Sequence, residues 1–86
     1  MNNLNKFEAE FKTTFPKAWC QVGDFNGDGT TVLWSGEDSW TNDGLALFDY
    51  YASYGYDILP QLVELADKYG FYFECYDAGT YIAVER

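Results

Sequence analysis

The stretch Phe71–Glu85, "FYFECYDAGTYIAVE", decides how this chain folds. Two runs rich in aromatic and β-branched residues flank a turn at Ala78-Gly79, which predicts an antiparallel hairpin of Phe71–Asp77 with Thr80–Glu85. A two-residue turn sets Tyr76 opposite Tyr81, Cys75 opposite Ile82 and Phe73 opposite Val84. Side chains alternate along a strand, so Phe71, Phe73, Cys75, Ile82 and Val84 are expected in the core. Tyr72, Glu74, Tyr76, Tyr81, Ala83 and Glu85 then face the other way, as an open surface that is aromatic and acidic together.

Upstream of the hairpin, Asp57 reads as the N-cap of a helix with Pro60 in its first turn and Gly70 after its last residue. Ile58, Leu62, Leu65 and Tyr69 give that helix its buried side. Another helix is expected from about Asp43 to Tyr54, with Leu45, Phe48 and Ala52 on one face and Gly55 stopping it. Residues 36–44 form a polar loop around Trp40. Residues 30–35 and 17–25 read as two strands, joined through Asn26-Gly27 and Asp28-Gly29. At the start, Leu4, Phe7, Phe11 and Phe15 recur at helical spacing, with Asn3 or Asn5 as cap and Pro16 as terminator. The expectation is an α+β protein in which residues 1–86 form a single domain of order αββααββ. An antiparallel β-sheet carries its helices packed on one face.

The loop "GDFNGDGTT", residues 23–31, raises a metal question. Asp24, Asn26, Asp28 and Gly29 match the opening of a calcium loop, where alternating oxygen ligands converge on a hard cation. The match then fails. Val32 and Ser35 stand where the later carboxylate ligands belong, and strands rather than helices flank the loop. Asp24, Asn26 and Asp28 therefore make at best a weak calcium site in the 24–35 loop, and the stretch reads first as a hairpin turn.

The 86 residues suffice for one core, and 48% apolar with 21% aromatic residues compensates for the small size. Fourteen acids against five bases give a formal charge of −9. Between Ala18 and Asp67 there is no Lys or Arg at all. Such a field repels phosphates, which excludes direct nucleic-acid binding and favours a basic partner. No apolar run approaches a membrane-spanning length or a secretory leader, so a cytoplasmic location and no membrane partner are expected. Cys20 and Cys75 fall on the apolar side of their strands and are expected as buried free thiols. Histidine is absent, which removes the usual general base and the usual transition-metal ligand. No nucleophile–base pair and no phosphate-cradling loop is present, so neither an enzyme nor a cofactor is expected.

Acids interleaved with exposed aromatics suit docking onto a basic groove, with carboxylates in place of phosphates and rings in place of bases. The candidate partner-binding residues are Asp24, Asp28, Glu37, Asp38, Trp40, Asp43, Asp49, Tyr72, Glu74, Tyr76 and Tyr81. The acidic chain, "LFDYYASYGYD" (47–57) and the closing "ECYDAGTYIAVER" (74–86) resemble small acidic proteins of tailed bacteriophages. That resemblance implies an inhibitor of a host nucleic-acid-handling protein, such as a CRISPR effector or a restriction enzyme, acting by protein–protein contact and nucleic-acid mimicry. A weak calcium module and a virion structural or assembly protein are the alternatives.

Overall fold

Helix α1, Asn3–Thr14, forms where the apolar stripe recurs, and it buries Leu4, Phe7 and Phe11. Asn3 and Asn5, the expected caps, both lie inside this helix. The Phe15 amide donates to the Phe11 carbonyl at 2.9 Å before Pro16 ends the helix. This computed structural model describes residues 3–53 and 55–86. The remaining elements are β1 (Gln21–Gly23), β2 (Val32–Gly36), α2 (Pro60–Lys68), β3 (Phe71–Asp77) and β4 (Thr80–Glu85). Their order is αββαββ, and the four strands form one antiparallel sheet in the order β1-β2-β4-β3.

Both helices cover the same sheet face, as expected for an α+β fold. Phe7 is fully buried there, stacked 5.4 Å from Phe71, with Phe73, Tyr69 and Phe11 around it. Val22, Leu33, Ser35, Tyr81 and Ala83 complete that face by their shared register.

The second expected helix does not form. Residues 37–59 instead make three passes, tied by the Leu47 amide to the Ser39 carbonyl and the Leu59 amide to the Leu47 carbonyl, each at 2.9 Å. Isolated bridges pair Trp40 with Ala46 and Phe48 with Ile58. Local chemistry explains the change. Gly44 and Ala52 take positive φ of 89° and 52°, and the Asp49 carboxylate accepts the Tyr51 and Ser53 amides. Each of these offers the backbone a partner outside a helix. Tyr54, the expected helix end, lies outside the described residues. The passes bury Leu47 completely and lay Phe48 on Tyr81, so they extend the helical layer without being helical.

Helix α2 starts later than Asp57. Leu59 is its N-cap and Pro60 occupies its first turn, where a missing amide costs nothing. Leu62, Leu65 and Ala66 face the core, and Gly70 follows the helix at φ 86°.

The closing hairpin forms, but its register differs from the expected one. Cys75 pairs with Tyr81 and Asp77 with Thr80, which leaves Tyr76 bulged out between them. One extra residue on β3 reverses the faces of β4. Tyr81 and Ala83 therefore point into the core, while Ile82 and Val84 lie on the open face. Cys75 is exposed at the strand end, contrary to expectation, and Cys20 alone is buried, where burial pushes its thiol up to about 11. At this end of the sheet Gly36 meets the β3–β4 turn, and the Glu37 amide donates to the Gly79 carbonyl at 3.2 Å.

Two polar arrangements fix the layers. Ser35 and Ser39 are buried; Ser35 donates to the Trp19 carbonyl at 2.6 Å, and Ser39 accepts the Trp19 amide at 3.3 Å. With the one Ser35 proton so placed, Ser39 is the donor across the 3.2 Å between the two hydroxyls. The Trp19 indole donates to the Glu37 carbonyl at 2.8 Å, so the start of the 37–59 excursion is anchored from both sides.

The other arrangement joins the helices. Tyr69 donates its hydroxyl to Glu10, and Lys68 reaches the same carboxylate at 3.0 and 3.3 Å. The Tyr69 hydrogen bond first, then Lys68, holds the Glu10 carboxyl below its ordinary 4.5. A lowered carboxyl value contributes stability above the unfolded value, and that contribution is lost as pH falls through the folded one. Thermal unfolding followed by circular dichroism should show Glu10→Gln melting below the parent at neutral pH. The two melting temperatures should converge once the pH is well below the ordinary 4.5.

Candidate docking surface

The sheet face away from the helices is built by register. Gln21, Trp34, Ile82 and Glu74 form one row across all four strands, and Gly23, Val32, Val84 and Tyr72 form the next. The two central strands thus supply an apolar floor of Val32, Trp34, Ile82 and Val84, each half-buried and, among the described residues, without a helix packed above it.

The β1–β2 loop arches back over one end of this floor. Phe25 packs 5.0 Å from Trp34 and 5.0 Å from Tyr76, edge-on to the latter, so three rings form a wall. Tyr76 is 62% exposed because its bulged position carries it off the ladder. Between the loop and β4 runs a groove of about 760 Å³, lined among others by Thr30, Val32, Glu74, Tyr76, Ile82 and Val84. That size falls among ligand clefts, roughly 300–1,000 Å³.

The loop that raised the calcium question is held by its own aspartate. Asp24 accepts the amides of Gly27 at 2.8 Å, Asp28 at 3.1 Å and Gly29 at 2.9 Å, and Asp28 accepts the Thr30 amide at 2.9 Å. Gly27 and Gly29 adopt positive φ of 74° and 84°, the backbone this tight turn requires. Among the described residues no three His, Cys, Asp or Glu side chains converge to hold a metal ion. What the Asp-Asn-Asp-Gly spacing builds here is a turn.

Of the candidate residues, Tyr72, Glu74 and Tyr76 lie on or beside the open face, and Asp24 and Asp28 hold the loop whose Phe25 packs against it. Glu37 lies at the end of the same sheet, beside Gly79, with Asp38 next to it at φ 66°. Tyr81 leaves the set, being 1% exposed beneath Phe48, where burial pushes its phenol up to about 12. Trp40, Asp43 and Asp49 belong to the 37–59 passes in the opposite layer, together with exposed Leu45, Tyr50 and Tyr51. Phe25, Trp34, Ile82 and Val84 were missing from the expected surface. Period two in "VLWSG" does place Val32 and Trp34 opposite buried Leu33 and Ser35, so half of the floor had a signal.

The bases are clustered. Lys6 and Lys12 lie on α1, Lys17 just beyond it, Lys68 at the end of α2, and Arg86 beside α2 through Asp67 at 3.0 Å. Ion pairs among the described residues engage Glu8, Glu10 and Asp67, which leaves eleven of the fourteen acids without one. No helix among the described residues is long and apolar enough to cross a membrane. The chain matches no protein family, no curated protein and no solved structure.

Proposed function

We propose that this chain is a non-catalytic binding protein that docks on the basic surface of a host nucleic-acid-handling protein and blocks it by taking the place of nucleic acid. The observation that carries the reading is the excess of acids without ion pairs. The five bases lie on or beside the helices and three of them are paired with Glu8, Glu10 and Asp67, while eleven acids spread over the molecule carry no ion pair among the described residues. Fields of this kind speed encounter with a basic partner and are screened by salt within about 10 Å at 0.1 M. Exposed Tyr50, Tyr51 and Tyr76 supply rigid, amphipathic anchors of the sort that hold an interface once formed. The likeness to small phage proteins points to a host defence or nucleic-acid enzyme as the target.

Competition tests this directly. The immobilised chain, exposed to bacterial lysate, should retain basic nucleic-acid-binding proteins, and both heparin and duplex DNA should release them at constant ionic strength. Association with the captured protein should slow several-fold from low to physiological salt. Retention that survives both polyanions would show that the partner's nucleic-acid surface is not what this chain occupies.

A further inference from the structure

We propose that the open sheet face takes a basic amphipathic α-helix of the partner, laid across Val32, Trp34, Ile82 and Val84. The inference rests on the reading of a basic partner and adds where, and by what element, it binds.

A sheet buries an apolar face by receiving a second layer. Here the helix side is covered by α1, α2 and the 37–59 passes, whereas among the described residues the opposite floor has the arch of the β1–β2 loop at one end and Asn3 and Leu4 at the groove's edge. The two other ways to cover it are disfavoured. Strand addition at an edge would have to use β1, which is three residues long, or β3, whose ladder is broken by the bulge at Tyr76. Short and bulged edges resist pairing with another strand. A second copy would bring together two faces that each carry Glu74, from chains of formal charge −9. Like charges so placed oppose association.

A cationic helix fits on both counts. Its apolar stripe meets the floor, and Lys or Arg on its flank meets Glu74, which lines the groove, within the negative field of a chain of formal charge −9. Four strands span roughly 14 Å between the outer pair. A helix with its side chains is about 10–12 Å across. The chain already shows how the face holds a cation. Arg86 rests its guanidinium 5.4 Å from the centre of the Tyr72 ring while its Nε donates to Asp67 at 3.0 Å. Helices with basic flanks are also what many nucleic-acid-binding proteins insert into the major groove, so covering one would block it.

The test uses the full chain and three fluorescein-labelled peptides. One is a Leu/Lys/Arg peptide with Leu at helical i, i+3, i+4 and i+7 spacing, one is its scrambled version, and one is a Lys/Ser peptide of equal charge. The patterned peptide should bind at least tenfold more tightly than either control. Amide shifts in two-dimensional NMR should map to Val32, Trp34, Glu74, Ile82 and Val84. Glu74→Lys, on an exposed side chain, should weaken binding several-fold with the spectrum otherwise unchanged. Ile82→Lys should weaken it further wherever its spectrum stays dispersed. Equal binding of all three peptides, or shifts confined to the Trp40–Tyr51 region, would overturn the helix site and leave the basic-partner reading standing. A dimer in sedimentation equilibrium that Ile82→Lys dissolves would assign the face to a second copy and overturn the proposal. If no cationic peptide binds and the lysate yields nothing that heparin releases, both readings fall together.

Discussion

Replacing Gly36 by alanine should destabilise the protein by at least about 3 kcal/mol. A Cβ on Gly36 would lie 1.9 Å from the Gly79 carbonyl oxygen, 2.8 Å from its carbonyl carbon and 3.2 Å from the Thr80 Cα. All three are backbone atoms of the β3–β4 turn, so no side chain can swing aside. Relief requires moving either the end of β2 or the turn itself. Both are pinned, β2 by the Ser35–Trp19–Ser39 hydrogen bonds and the turn by the Glu37 amide on Gly79 and the Asp77 carboxylate on the Gly79 amide. A domain of this length is stable by about 4–13 kcal/mol, so the loss is a large share. Thermal unfolding should move down by roughly 12–24 °C. Gly27→Ala is the control. Nothing lies within 4 Å of its Cβ position, and only the positive φ of 74° opposes it. It should cost about 1–2 kcal/mol. Equal melting points for the two variants would mean that the sheet end and the turn are not in contact.

Tyr81→Ala should cost about 3–5 kcal/mol, the range for truncating a buried aromatic ring. Its ring is 1% exposed, stacked 4.5 Å beneath Phe48 at 18°, and paired in register with Ser35 on one side and Cys75 on the other. Removing it opens the floor under the 37–59 passes, which rest on Phe48. Tyr76→Ala should change stability by less than about 1 kcal/mol, since that ring is 62% exposed and meets only the edge of Phe25. Chemical denaturation of the two variants separates them. Comparable losses would restore the register without a bulge, in which both tyrosines share one face.

This pair of tyrosines shows where the sequence could be read and where it could not. The hairpin and its turn were legible because the aromatic and β-branched run broke at Ala78-Gly79. The bulge was not, because period two is indifferent to one inserted residue until a partner strand fixes the phase. Phe71 and Phe73 kept their expected face for that reason, and Ile82 and Val84 did not. Helix α1 was clear from four phenylalanine and leucine positions at helical spacing. The segment around Phe48 carried the same spacing, yet Asp49 captured its own downstream amides and Ala52 turned left-handed. Local side-chain hydrogen bonds outweighed the pattern there. Charge was legible throughout as composition. The pairing of the bases was not, because Lys68 meets Glu10 across two helices only through the fold.

The strand order β1-β2-β4-β3 divides the molecule in a way that the amino-acid pattern does not announce. Elements α1-β1-β2 and α2-β3-β4 are two halves of the same plan, and β2 lies against β4 where they join. Inside each half the hairpin closes over a short connection, residues 24–31 in one and 78–79 in the other. The join pairs Leu33 with Ala83 and has to draw in nearly the whole span between them. Closing a long loop costs more entropy than closing a short one, and distant pairings slow folding. The two hairpins are therefore expected to form early and the seam between β2 and β4 late, so substitutions at Leu33 or Ala83 should slow refolding more than substitutions in either turn. Gly36 lies at the end of that seam, so a residue without a side chain stands where the two halves are expected to close last.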